Sequence, residues 1–191
     1  DHGTFTASSH CTIEVSDVKR IGSYVVHRGT VTGDGSNTGV RVGEVLEARV
    51  DADRRWRVTQ AHTATHLLLH ALGQVLGEGV SQKGSMVSEG KLRLDFNWPK
   101  ALTPKQISDV ETNLKDVITE SLPIQSDIVP SQDAMRIAGI QAMFGEVYPT
   151  NARVIAVQHK VNDMMAHPSN DFWRTRSVEF CGGTHLPSTS Q

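Results

Sequence analysis

Apolar and polar residues change period along the chain. Within residues 11–50, short β-rich runs at 12–15, 24–26 and 40–50 are separated by turn chemistry, chiefly Gly33-Asp34-Gly35-Ser36-Asn37. This predicts a small barrel or meander, with residues 33–39 as a surface loop. From about Arg54 to Leu76 the spacing becomes helical. Val58, Ala61, Thr65, Leu68, Leu69, Leu72 and Leu76 form one broad stripe, ended by Gly77 and Gly79.

Residues 84–98 read as a hairpin, Ser85-Met86-Val87 against the alternating Leu92-Arg93-Leu94-Asp95-Phe96, with Ser88-Glu89-Gly90 as its turn. Thr103-Pro104-Lys105-Gln106 is a capping-box start for a helix to about Ser121, because threonine and glutamine can each satisfy one free N–H at that end. A strand at 124–129, a short helix capped by Ser131 and stopped by Gly139, and a strand at 152–158 follow. Residues 160–176 read as irregular. The class expected is α+β: a small, incomplete β-barrel over 1–52, then a helix-on-antiparallel-sheet domain over 53–191.

Composition narrows the picture. The 191 residues are 38% hydrophobic and 21% charged, ordinary for a globular chain long enough to bury a core without staples. A formal net charge of −2 excludes a nucleic-acid grip built on an excess of Lys and Arg. Lys83, Lys91 and Arg93 on the hairpin read as solvated rather than as phosphate contacts. Cys11 and Cys181 stand far apart in unlike contexts, against a disulfide framework and in favour of a reducing compartment. There is no run of 18 apolar residues, so no membrane partner is expected. The chain opens on Asp1 and closes just after a motif, which reads as excision from a longer polypeptide.

Two motifs carry chemistry. His62-Thr63-Ala64-Thr65-His66 lies in the strongest helix, where positions four apart share a face and two imidazoles can reach one ion. Cys181-Gly182-Gly183-Thr184-His185 adds a thiolate and a third imidazole, completing a ligand set suited to tetrahedral zinc, with glycines that let the backbone fold tightly. His70 has the same helical spacing, but three successive turns span roughly 12 Å, too far for ligands near 2 Å from one ion. His2, His10, His27, His159 and His167 lack a matched partner, and Cys11 reads as a small buried or half-buried thiol. Where a metalloprotease helix carries its glutamate base, this chain has Thr63, which disfavours peptide hydrolysis and leaves room for a more labile ester.

The two motifs, with Gln82-Lys83-Gly84-Ser85 and Leu92-Arg93-Leu94-Asp95-Phe96 between them, resemble in order and spacing the editing region of alanyl-tRNA synthetases. The resemblance runs from about Val31 to Leu186, and Cys181 to His185 is its most specific piece. Ser177-Val178-Glu179-Phe180 and the segment 158–176 look like the eukaryotic form. The Gly-Gly-Gln segment and threonine-bearing strand that precede this region in the family are not in the chain, hence the incomplete barrel.

The resemblance implies one zinc ion held by His62, His66, Cys181 and His185. It implies Gln82 orienting the ester or the attacking water, and Ser85, Thr65 and Gly182 near the substrate. The implied activity is hydrolysis of serine, and of glycine, wrongly attached to alanine tRNA, because an alanine pocket cannot reject one added hydroxyl well. The implied partners are the tRNA acceptor end and the rest of the synthetase, in the cytoplasm or, for an organellar form, the mitochondrion. Three alternatives stay open: a structural zinc module that positions tRNA, the related threonyl-tRNA synthetase editing region, and a free-standing deacylase.

Overall fold

The computed structural model describes residues 1–7, 11–32, 40–77, 79–143 and 145–191; the loop expected at 33–39 lies outside them. These residues divide into two compact units, Asp1–Val58 and Thr59–Gln191.

In the first unit, strands β1 (Gly3–Thr6), β2 (Thr12–Ile21), β3 (Tyr24–Thr32) and β4 (Glu47–Val50) form an antiparallel sheet in the order β3-β2-β1-β4. Among the described residues the sheet is open, with β3 and β4 as its edges, so it is an incomplete barrel. The β2–β3 hairpin is longer than its hydrophobic runs suggest. Ile21 pairs with Tyr24 across a two-residue turn whose first residue, Gly22, sits at φ 61°. Charged Asp17, Lys19 and Arg20 continue the strand because most of this hairpin is solvated. Of the run expected at 40–50, only β4 is strand. Ala7, Cys11 and Val15 are buried.

Helix α1 (Ala52–Leu76) begins two residues earlier than its pattern, because Asp51 accepts from the Arg54 N–H at 2.9 Å and caps it. It ends at Leu76, where Gly77 takes φ 98° and its N–H bonds the Gly73 carbonyl at 2.9 Å. The buried positions are Thr59, Thr63, Thr65, Leu67, Leu69, Ala71 and Leu72, a wider band than the expected stripe.

The second unit has two cores. In one, Leu69, Ala71 and Leu72 of α1 pack with Val80, with Val110 of α2 (Pro104–Thr119), and with Leu94 and Phe96 of the hairpin β5 (Gln82–Ser88) and β6 (Lys91–Phe96). The capping box of α2 is present: Thr103 Oγ1 accepts from the Gln106 N–H at 3.2 Å, and Gln106 Oε1 accepts from the Thr103 N–H at 2.9 Å. Thr103→Ala is therefore expected to lower stability by about 0.5–2 kcal/mol without touching the site, readable as a shift in urea midpoint at unchanged slope.

The other core lies on the antiparallel sheet β7 (Ile124–Pro130), β8 (Asn151–Val157) and β9 (Val178–Phe180). Central β8 buries Ala152, Val154, Ile155, Ala156 and Val157, a nearly continuous apolar run as expected of a strand covered on both faces. Met164 of α4 (Val161–Ala166) and Trp173 pack there with Ala134 of α3 (Ser131–Ala134). Two expectations need correction. Pro130, not Ser131, is the N-cap of α3; Ser131 is already helical and buried, and no side chain caps that end. Residues 160–176 are not irregular throughout, since they contain α4 and a 3-10 turn at Asp171–Thr175.

Candidate metal centre

Helix α1 and strand β9 bring the two motifs together. One turn of helix separates His62 from His66, so both rings leave the same face, and their Nε2 atoms stand 3.2 Å apart. Strand β9 runs directly into Cys181, whose N–H extends the ladder by bonding the Arg153 carbonyl at 3.1 Å. Its Sγ lies 3.5 Å from His62 Nε2. The chain then turns back: the Gly183 N–H points at Cys181 Sγ from 3.4 Å, and the Arg153 guanidinium grips the Gly183 carbonyl at 2.5 Å. His185 comes round as the fourth member. One ligand atom from each of His62, His66, Cys181 and His185 lies within 4.8 Å of every other, and all four residues are half-buried.

The rings are held from behind. His62 Nδ1 lies 3.1 Å from the Thr184 carbonyl, His66 Nδ1 meets the Glu179 carboxylate, and His185 Nδ1 lies 3.2 Å from Thr63 Oγ1. Thr63 also accepts from the Leu186 N–H at 3.1 Å, and Thr59 and Thr184 share a hydroxyl contact of 2.9 Å. A carbonyl and a carboxylate accept only, so with a metal ion in place His62 and His66 would carry their protons on Nδ1 and offer Nε2 to it. Their Nε2 atoms face each other across 3.2 Å, a spacing that a proton or a metal cation between them would bridge. His185 Nε2 is buried without a hydrogen-bond partner, and His66 Nδ1 is in ion-pair contact with the Glu179 carboxylate without hydrogen-bond alignment.

A tetrahedral ion about 2.0–2.1 Å from nitrogen and about 2.3 Å from sulfur sets ligand separations of about 3.3 Å between nitrogens and about 3.5 Å between nitrogen and sulfur. Two of the separations, 3.2 and 3.5 Å, match these values and all four atoms lie within 4.8 Å of one another, so this group could hold a metal ion. The surroundings favour a thiolate at Cys181. Burial would push the Cys181 thiol up, yet His185, His62 and His66 around the sulfur, with the Gly183 N–H, hold it down at about 3. For His66 burial works downward, but Glu179 and Cys181 outweigh it and raise the ring to about 10. Burial lowers His185.

His70, the excluded rival, is not in the group; burial lowers it and the Thr175 backbone contacts it. Both cysteines are free, Cys11 being buried in the first unit. Gln82 lines a cavity of about 20 Å³ together with Leu69, Gln141, Phe180 and Glu179, the carboxylate behind His66, and its Nε2 donates to Ser85 Oγ at 3.1 Å. Ser85 and Gly182 are exposed. Thr65 is buried, its hydroxyl donating to the Ala61 carbonyl at 2.8 Å. Sequence reasoning missed Glu179, Thr63 and Arg153. Nothing in their spacing marks them; a charged residue just before a motif reads as solvated until its strand is known to be covered.

No protein-family model matches the chain. Curated relatives do. The alanine–tRNA ligase of Candida albicans is 38% identical over 189 residues, 99% of this chain and 19% of its own length. The cytoplasmic alanine–tRNA ligase of Drosophila melanogaster is 40% identical over 172 residues, 90% of this chain and 17% of its own. The mitochondrial enzyme of Saccharomyces cerevisiae is 35% identical over 189 residues, 99% of this chain and 19% of its own. The chain thus spans about a fifth of the length of the relatives it matches. These include cytoplasmic and mitochondrial forms, and among the described residues no helix is long and apolar enough to cross a membrane. Along nearly all of its 191 residues, the chain is therefore homologous to one stretch of the alanine–tRNA ligases.

Proposed function

We propose that this chain performs the editing reaction of an alanine–tRNA ligase, hydrolysing the ester that joins serine, or glycine, to alanine tRNA. The observation that carries the reading is the convergence of three Nε2-presenting imidazoles and one thiolate in a homologue of those ligases. The ligand chemistry favours zinc, with His62, His66, Cys181 and His185 as its ligands. When bound, zinc would supply positive charge to polarise an ester carbonyl.

The residues of the chain do the rest. With its Nε2 donating to Ser85, Gln82 presents Oε1 as an acceptor that can align a water or the substrate ammonium beside the centre. The cavity it lines has room for about one water-sized group, the size of a serine hydroxymethyl. Ser85 and Gly182, both exposed, would meet the acceptor end. Thr65 would do so only by releasing the Ala61 carbonyl. Thr63, at the position of a metalloprotease base, is committed to His185 and Leu186, in keeping with a labile ester rather than an amide as substrate. The alanine tRNA acceptor end and the remainder of a synthetase are the proposed partners, and the cytoplasm the proposed compartment.

The test is hydrolysis of Ser-tRNA(Ala) and Ala-tRNA(Ala) by the 191-residue chain, by Gln82→Ala and by Cys181→Ala. The parent should turn over the seryl ester and spare the alanyl one, Gln82→Ala should be about 10²-fold slower, and Cys181→Ala should be inactive. Four protein ligands favour one rival, a closed structural zinc site that positions tRNA. It requires a zinc-loaded parent with no turnover on either ester, and that result would end the editing reading.

A further inference from the structure

Glu179 sits at the middle of β9 between two buried apolar residues, and is itself only 6% exposed. A carboxylate in such a place is strongly disfavoured unless both oxygens are satisfied and its charge is balanced. Both oxygens are used. Oε1 accepts from the Ser177 hydroxyl at 3.1 Å, and Oε2 meets His66 Nδ1. His66 is its ion-pair partner among the described residues.

The three histidines differ in what stands behind them. The Thr184 carbonyl backs His62 and the Thr63 hydroxyl backs His185, both neutral groups; only His66 has a charge. Three imidazoles and one thiolate around a divalent ion leave a net charge of plus one in a half-buried site. The carboxylate of Glu179 brings it to zero.

We propose that Glu179 is the positioning residue of the metal centre: it keeps the His66 proton on Nδ1 so that Nε2 faces the ion, and it supplies the charge that neutralises the loaded site. This rests on the reading of the four residues as metal ligands, and it is independent of whether an ester is hydrolysed. Ser177 holds the carboxylate in place from the far side.

The test uses the whole chain, Zn²⁺ alone as probe, and no tRNA. Affinity is read by competition with a chromogenic chelator, and the histidine ring protons by ¹⁵N-resolved NMR of the loaded protein. Glu179→Gln keeps the shape and an acceptor oxygen but removes the charge. It should weaken zinc binding by about 10- to 100-fold, move the His66 Nδ1–H resonance upfield, and leave those of His62 and His185 in place. Ser177→Ala, a milder change that carries the test if Glu179→Gln does not fold, should weaken binding by roughly 2- to 5-fold and shift the same resonance. Affinity within twofold of the parent in every folded variant, with the His66 resonance unmoved, would overturn the proposal while leaving the metal centre standing. A parent that binds no zinc would overturn both, and a parent that binds zinc without hydrolysing Ser-tRNA would overturn only the editing reading.

Discussion

His66→Ala should cost this chain more than any other single change at the centre, because it removes a candidate ligand and strands a carboxylate. Without the ring, Nε2 is gone from the ligand set and Glu179 is left buried with no counter-charge. Breaking one side of a buried ion pair typically costs about 3–5 kcal/mol, the penalty falling on the partner left behind. His62→Ala also removes a candidate ligand, but besides its Nε2 contacts with His66 and Cys181 it frees the Thr184 carbonyl, at an exposed residue that water can reach, and no buried carboxylate. Metal content should fall to near zero in both variants, measured by atomic emission after gel filtration. Metal-free unfolding in urea should nevertheless separate them, with His66→Ala the less stable by about 2 kcal/mol or more. Adding Glu179→Gln to His66→Ala should recover part of the loss, since the stranded charge is then removed. Equal stability of the two alanine variants, with no recovery in the double variant, would mean that Glu179 does not depend on His66.

The parts of the fold that a reader of the sequence could foresee are those whose signals are local. Helix α2 announces itself through Thr103 and Gln106, and α1 through a helical period sustained for some twenty residues. The alternation in β6 and the apolar run of β8 are equally direct. What could not be read is short or depends on distant partners. β1 has four residues and is defined by its pairing with β2 and β4. Helix α4 has six residues and no side-chain cap at Lys160. The candidate site divides in the same way. His62, His66, Cys181 and His185 stand out because imidazoles four apart on a helix and a thiol near a third ring are rare enough to suggest one ion. Glu179 does not, because the fact that matters about it is its contact with the ring of His66, 113 positions earlier on α1, which only the folded chain reveals. The three supports behind the rings are thus tertiary information, although the four candidate ligands can be picked out from the sequence.

The two glycines of the Cys181–His185 turn give the sharpest contrast at equal chemistry. A Cβ built on Gly183 would lie 2.3 Å from His62 Cε1 and 2.8 Å from its Nδ1, whereas one on Gly182 meets nothing within 4 Å. Neither residue sits at a positive φ, so space rather than backbone conformation decides. At Gly183 the loop cannot simply retreat, because Arg153 grips its carbonyl and its N–H is turned to the Cys181 sulfur. His62 has to give way. That breaks its contact with the Thr184 carbonyl and carries Nε2 off the common point shared with His66 and Cys181. Gly183→Ala should therefore weaken zinc binding by about 10²-fold or more, comparable to losing a ring support outright, and cost about 1–3 kcal/mol of stability from overpacking. Gly182→Ala should leave both within experimental error. Chelator competition and urea unfolding on the two variants make the comparison; similar zinc affinities for both would show that the ring of His62 does not need the room that Gly183 leaves it.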